Sequence, residues 1–416
     1  MSDIGINKSM SEKIRNVGMQ KFLAPAALVI LYVFFGIFGR NFFSYGSLIN
    51  ILDASYYIGF IAIGVTFVII TGGIDLSCGA VMMCAAIVGG TAYKSWGWPM
   101  WVSLILIVIV AVSFGFVNGF LVSWMRLPPF IATLGTMMVS MGTGSMISRV
   151  RSATYPTRSE ADGWFKSIFK FLGDDGFTVP TGFIVLLIMT FIAYLILTKT
   201  KMGRYIFAIG SNKEAARLSG VNVKKWEMMA YVVSGFMGSI GAIAFAAVYT
   251  TVMPAQGQGF ELFAIAGAVI GGTSLSGGVG SVFGTLIGVY IMSSLRVGLP
   301  SMDLQAHFQT FFTGIVVWGA VLLDIYRNKK ASEVRILSPA DAYRKTELTK
   351  IAQMKEGMSG LVGENLAIKK KELAAARKRM KTAYTGMKRE EKSEQKRILS
   401  EEKAAEKAFR KHRTEE

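Results

Sequence analysis

Apolar residues in this chain fall in long runs without charge instead of the short alternations of a soluble sheet protein. A bilayer core is crossed by about 20 consecutive apolar residues in a helix. Runs of that order occupy 22–39, 54–74, 76–93, 95–125, 127–148, 176–198, 228–260, 262–295 and 304–323. The run 262–295 is too long for one helix. The segment SLSGGVGS, with Gly277-Gly278 at its centre, splits it into a short helix near 262–273 and a full one near 281–299. The pattern specifies an all-α polytopic membrane protein with about ten transmembrane helices. Residues 22–39 follow Lys8, Lys13, Arg15 and Lys21, as a secretory leader would. The run is long for a leader, and Arg40-Asn41 lacks the small-residue cleavage pattern, so it reads as an uncleaved first span.

Composition divides the chain rather than describing it as a whole. It is 52% hydrophobic, with mean hydropathy +0.44. Residues 1–326 hold 20 Lys/Arg and 13 Asp/Glu, whereas 327–416 hold 25 and 14. Three regions follow: an N-terminal segment 1–21, a transmembrane body 22–326, and a basic, helix-prone or disordered tail 327–416. Cys78 and Cys84 have no paired spacing, and His307 and His412 are the only histidines, which excludes a disulfide framework and a histidine-based metal cluster.

Lys/Arg excess marks the cytoplasmic face of a membrane protein. The N-terminus is basic, and the loop 199–225 carries seven Lys/Arg against one acid. The tail opens with Arg327, Lys329 and Lys330. Ten spans place all three inside and the nearly neutral loop 149–181 outside. Similar segments also recur five spans apart. Gly73-Ile-Asp75-Leu precedes a small-residue helix, as does Gly259-Phe-Glu261-Leu. Gly115-x-x-x-Gly119 ahead of Arg126-Leu-Pro matches Gly284-x-x-x-Gly288 ahead of Arg296-Val-Gly-Leu-Pro. Partners five spans apart run in opposite directions, which describes an inverted internal repeat of the transporter kind.

Within the basic loop, Ser211-Asn-Lys-Glu214 fits a capping box, in which the Ser211 hydroxyl accepts the Glu214 N–H and the Glu214 carboxylate reaches back. Ala215 and Ala216 favour helix, and Gly220 suits a left-handed stop. A short capped helix with a small-residue face is a shape that docks; the plainer reading is a solvated connector with Glu214 as a cap. These residues resemble the EAA-x-x-x-Gly coupling loop of ABC importer permeases. GRYIFAIGSNKEAARLSGVNV, TGGIDLSCGA (71–80), PPFIATLGTM (128–137) and FELFAIAGAVIGGTSLSGGVGSVFGTLIG (260–288) are similar, in order and spacing, to the ribose/galactose/xylose branch of that family.

The resemblance covers about 20–327. It implies a permease subunit that forms the path for a simple sugar and pairs with a second permease subunit, identical or paralogous. A cytoplasmic ATPase would bind Ser211, Glu214, Ala215, Ala216 and Gly220, and an extracellular or periplasmic sugar-binding protein would deliver the solute. The implied location is the bacterial cytoplasmic (inner) membrane, with both termini inside. Two departures stand out. Phe263 occupies a position where that family usually has Asp, and the tail beyond about 330 has no counterpart.

The chain has no Walker A pattern and no nucleophile–base pair, so it reads as a transport subunit and not an enzyme. It calls for no cofactor of its own, ATP and Mg being left to the partner ATPase. Ionisable groups within spans are costly and mark function. Asp75 and Glu261 either cap the helices they precede or line the translocation path. Asn118 is either an interhelical hydrogen-bonding residue or part of that path. Gln256 and Gln258 belong to the outer mouth, where they meet sugar hydroxyls or water. An ABC permease for branched-chain amino acids or nucleosides shares this pattern. An ion-driven secondary transporter would call for more intramembrane charge. In the tail, Leu366, Leu373, Met380 and Met387 are spaced by seven, but Lys370, Arg377 and Tyr384 at the alternate positions make a poor coiled-coil core. The tail reads as a solvated cationic helix, or one drawn to anionic lipid; no nucleic-acid motif accompanies its charge.

Overall fold

A computed structural model describes residues 24–172, 177–254, 256–332, 339–356 and 364–412. The N-terminal segment 1–21 lies outside the described residues. The chain divides into two units, 1–329 and 330–416.

The first unit is helical. In chain order it contains α1 (Ala24–Phe38), α2 (Tyr45–Ile70), α3 (Cys78–Lys94), α4 (Met100–Ser123) and α5 (Pro129–Ser148). After the 149–181 connection come α6 (Gly182–Lys199), α7 (Lys201–Ser211), α8 (Lys213–Leu218) and α9 (Val223–Val248). It closes with α10 (Phe260–Ile270), α11 (Val282–Ser301) and α12 (Ala306–Ser332). Among the described residues six helices are long and apolar enough to cross a membrane: α2, α4, α5, α6, α9 and α11. Shorter apolar helices are α1, α3, α10 and the stretch Thr310–Tyr326 of α12.

Helix α2 is the axis of the unit. Every residue from Ala54 to Ile70 is buried, and α6, α9, α10 and α11 pack around it. Helix α3 is likewise enclosed, by α4, α5 and α9. By contrast α4, α5 and α6 keep large apolar side chains exposed, among them Ile109, Phe116, Ile131, Met138, Ile188 and Phe191. Such a surface suits lipid or another subunit, not water.

Close helix crossings explain the glycine pattern. A Cβ on Gly115 would lie 2.6 Å from the Tyr231 carbonyl, and one on Gly288 would lie 1.9 Å from the Gly267 carbonyl. Only glycine lets α4 meet α9, and α10 meet α11, backbone to backbone.

Helix α2 starts at Tyr45, nine residues before the run that hydrophobicity outlines. Asp53 ends the charge-free run, yet it is buried and its Oδ2 accepts from Lys170 Nζ at 2.7 Å. A charge whose partner lies far away in sequence does not end a helix. The 199–225 loop holds two helices instead of one. The Thr200 hydroxyl caps α7 by accepting the Gly203 N–H, and the missing side chain of Gly203 permits the tight α6–α7 turn against Leu197.

The 149–181 connection forms a cap on the end of the body opposite α8. Its strand Ala153–Thr154 (β1) pairs antiparallel with Thr251–Val252, and Tyr155 Oη donates to the Ala86 carbonyl at 2.6 Å. Lys166, only 2% exposed, donates to Thr250 Oγ1 at 3.0 Å and has no acid partner among the described residues. Burial, with Arg158 adding repulsion and Glu160 opposing it, pushes the Lys166 ammonium down to about 8 from 10.5. A base whose folded pKa is depressed destabilises the fold fully below the folded value. The penalty is relieved as pH climbs from about 8 to 10.5, where the unfolded chain holds the extra proton. Hydrogen exchange of the cap amides should therefore show stability rising across that window. Lys166→Met should flatten the rise and add on the order of 2 kcal/mol at pH 7.

The second unit contains α13 (Pro339–Glu356) and α14 (Glu364–His412), packed as a hairpin. Ala340 and Ile351 are buried on α13; Leu373, Met380, Tyr384 and Met387 are half-buried on α14. The Ala340 N–H donates to Glu391 Oε1 at 2.8 Å, and Arg344 lies 4.9 Å over the Tyr384 ring. Leu373, Met380 and Met387 thus serve an intramolecular seam, and Tyr384 joins it with Arg344 over its ring.

Candidate functional site

Two short helices, α3 and α10, begin inside the body instead of at its surface. The turn 71–77 folds back from the end of α2 until Asp75 faces Ser234, eleven residues into α9, or about 16 Å along it. From the other end, the segment before α10 descends until Phe260 stacks near Tyr57, at 5.2 Å between rings and twelve residues into α2. The two helix starts meet there. A Cβ on Gly79 would lie 2.8 Å from Glu261 Oε2 and 2.9 Å from the Gly257 carbonyl.

Around this junction a buried hydrogen-bonded chain links four elements. Asn118 Nδ2 on α4 donates to Ser77 Oγ at 2.7 Å, and Ser77 Oγ donates to Asp75 Oδ1 at 2.7 Å. Asp75 Oδ1 also accepts the Ser77 N–H at 2.9 Å, while Oδ2 accepts from Ser234 Oγ on α9 at 2.8 Å. Thr133 Oγ1 on α5, which lies 2.9 Å from the Pro129 carbonyl of its own helix, also approaches the Ile74 carbonyl at 3.2 Å. Glu261 Oε1 accepts the Gly259 N–H at 3.0 Å, and its Oε2 is buried with no partner, as is Asn118 Oδ1. Both acids thus hold a backbone N–H just ahead of their helices. A cavity of only about 10 Å³ borders Asp75, Asn118 and Ser234, so this junction is closed.

At the α8 end, backbone meets backbone. The Gly278 N–H donates to the Ile70 carbonyl at 2.9 Å, and a Cβ on Gly210 would lie 1.8 Å from that same carbonyl and 2.4 Å from Gly278 N. Asp324 of α12 fixes the same 271–281 loop, its Oδ2 accepting the Leu275 N–H at 3.0 Å. Helices α2, α7 and α12 are therefore joined through one loop. Helix α8 is capped by Asn212, whose Oδ1 accepts the Ala215 N–H at 2.9 Å. Ser211 does not cap it: Ser211 is the last residue of α7, and its hydroxyl donates to the Phe207 carbonyl at 2.9 Å. Nor does Glu214 reach back, for it pairs with Arg217 at 2.5 Å. The box fails because α7 continues through Ser211, leaving Asn212 as the first extended residue. Gly220, at φ +81°, ends the helix: its N–H donates to the Arg217 carbonyl, and the Val221 N–H to the Ala216 carbonyl. Ala216 is buried against Ile209 and Val223, and Lys213 Nζ holds Glu227 of α9 at 2.8 Å. Glu214, Arg217 and Leu218 face outward.

A family model described as "Branched-chain amino acid transport system / permease component" matches residues 47–321. The chain is 33% identical to the ribose import permease RbsC of Haemophilus influenzae over 77% of its own length and 99% of the relative's. Its identity to the Escherichia coli RbsC is 35%, over 73% and 92%. A xylose transport system permease, XylH of Haemophilus influenzae, is 30% identical over 76% and 99%. The chain belongs to the ABC-type import permease family. No solved structure matches it significantly.

In this permease Asp75, Asn118 and Glu261 come together at the junction. Gln256 and Gln258 lie apart from them on the exposed turn before α10, where Gln256 Oε1 accepts the Met253 N–H at 3.0 Å. Sequence reading passed over a second polar site, an open cleft of about 620 Å³ at the end opposite α8. Ser47, Asn50 and Asp53 of α2, Lys170, Tyr249 and Arg296 of α11 line it. In the sequence Asp53 marks only the limit of an apolar run, and Arg296 a run limit and the end of a repeated segment. The available signal was that each is a lone charge at the edge of a span.

Proposed function

We propose that this permease forms the translocation path of an ATP-driven importer for a simple sugar. The observation that carries the reading is that its relatives named for ribose, fructose and xylose align over 89–99% of their own lengths. The family description names branched-chain amino acids, and that solute class is the second reading.

The α8 end is then cytoplasmic, in keeping with its Lys/Arg excess, and both termini lie on that side of a bacterial inner membrane. The outward face of α8, with Glu214, Ala215 and Arg217, is the docking point for a separate ATPase that binds ATP and Mg. Ser211 and Gly220 set the ends of that segment. A sugar-binding protein docks at the opposite end, and a second permease subunit completes the path. The ten apolar segments serve as ten spans, and α3 and α10, which start at the junction and run to opposite ends, support an inverted repeat.

Movement of α8 would be transmitted by backbone contact from Gly210 to Ile70 and Gly278, and so to α2 and the α10–α11 hairpin. Because the junction is closed, transport requires a second packing that opens it. ATP and the binding protein drive that change only by favouring one packing over the other. The test is reconstitution with the ATPase and the binding protein in liposomes, followed by uptake of labelled ribose, xylose, fructose and leucine. ATP-dependent uptake of a sugar is expected; uptake of leucine alone would overturn the sugar assignment.

A further inference from the structure

The cleft opposite α8 has the chemistry of a ligand site. Asp53 forms its floor and is 5% exposed. Its Oδ2 accepts from Lys170, while Oδ1 is buried with no donor. Across the cleft Arg296 pairs with no carboxylate among the described residues. Its guanidinium lies 5.0 Å over the Phe260 ring, 5.6 Å over Tyr57 and 5.8 Å over Phe263, which hold the charge at the cleft wall. Phe263 contributes the third of these rings. Asn50 adds an amide able to donate and accept, and the half-exposed Tyr249 ring adds an apolar wall.

These charges exclude most ligand classes. An anion drawn to Arg296 and Lys170 meets the negative charge of the Asp53 carboxylate. A cation drawn to Asp53 meets Lys170, Arg296 and also Arg40, which lines the cleft while paired with Asp303. A neutral molecule dense in hydroxyls satisfies both, donating to Asp53 and accepting from Arg296, Lys170 and Asn50, with its C–H face against Tyr249. The volume lies within the range of small-molecule pockets, about 300–1,000 Å³.

We propose that this cleft, within a single permease subunit, is a receiving subsite for a neutral monosaccharide or similar polyol, held between Asp53, Asn50, Lys170 and Arg296. The inference rests on the sugar reading and assigns it a place. The subsite takes the solute on release from the binding protein and holds it weakly ahead of the closed junction, where tight binding would stall transport.

The test uses full-length permease in lipid nanodiscs with no binding protein present. Saturation-transfer NMR is recorded with ribose, xylose and fructose as probes, and with leucine and inorganic phosphate as controls. A neutral sugar should bind, and Asn50→Leu and Arg296→Gln should each weaken it about tenfold or more, the loss expected for a hydrogen bond to a charged or buried group. Arg296→Lys, which keeps the charge, should retain more binding than Arg296→Gln, separating lost contact from lost folding. Unchanged affinity in both Asn50→Leu and Arg296→Gln, or phosphate binding better than every sugar, would overturn the subsite. If the reconstituted importer carries a sugar that the nanodisc permease does not bind, the subsite falls and the sugar reading stands. If the importer carries no sugar, both fall.

Discussion

Glu214→Arg is expected to leave the permease folded in the membrane and to cut ATP-driven uptake about a hundredfold. The residue is two-thirds exposed, and its only partner among the described residues is Arg217, one turn away. An exposed pair of that kind stabilises a helix by only about 0.2–0.5 kcal/mol. What holds α8 lies elsewhere: the Asn212 cap, the Gly220 stop, buried Ala216 and the Lys213–Glu227 pair. The substitution therefore spares the helix and reverses the charge of the face offered to the ATPase, between Lys213 and Arg217. Losing an interfacial charge contact and adding repulsion costs about 2–5 kcal/mol, and every 1.4 kcal/mol is a factor of ten. Uptake and ATP hydrolysis measured on the same proteoliposomes check it. Uptake at the unsubstituted level would show that α8 does not couple the two subunits.

Asp75→Ala should lower the stability of the helical body by about 3–5 kcal/mol and abolish uptake. Asp75 accepts three bonds, from the Ser77 N–H, the Ser77 hydroxyl and the Ser234 hydroxyl. Through Ser77 it also orients Asn118. Removing the carboxyl strands these donors where water does not reach, and each buried unsatisfied donor costs about 1–3 kcal/mol. Asp75→Asn, which keeps one carbonyl acceptor, should lose roughly half as much. Thermal unfolding in detergent orders the three proteins. An Asp75→Ala protein with unchanged melting and full uptake would rule out both the structural and the transport role of the network.

Much of the helical layout was legible from apolar runs, because burying or lipid-facing every side chain of a span leaves a plain hydrophobic record. The errors share one cause. Asp53 and Asp324 each ended a charge-free run, yet both are buried inside helices with partners far away in sequence. Pairing across 117 residues leaves no local trace. Helix α7 was missed for a related reason: Gly203 and Gly210 look like breakers, whereas each is needed where backbones touch. The sequence points to Ser211 as the cap of α8, and only the length of α7 passes that role to Asn212.

The sequence alone determined the helical membrane body, the short Ala-rich helix in a basic loop and the block pattern of an import permease. Those features are written in composition, periodicity and local capping, all of which act within a few turns. Tertiary structure alone decided that Asp75, Asn118 and Glu261 share one closed junction. It likewise decided that α8 reaches α2 through Gly210 and Gly278, and that Asp53 and Arg296 face one cleft. Each is a meeting of segments tens to hundreds of residues apart, set by how helices cross, and helix crossing depends on the summed packing of all of them.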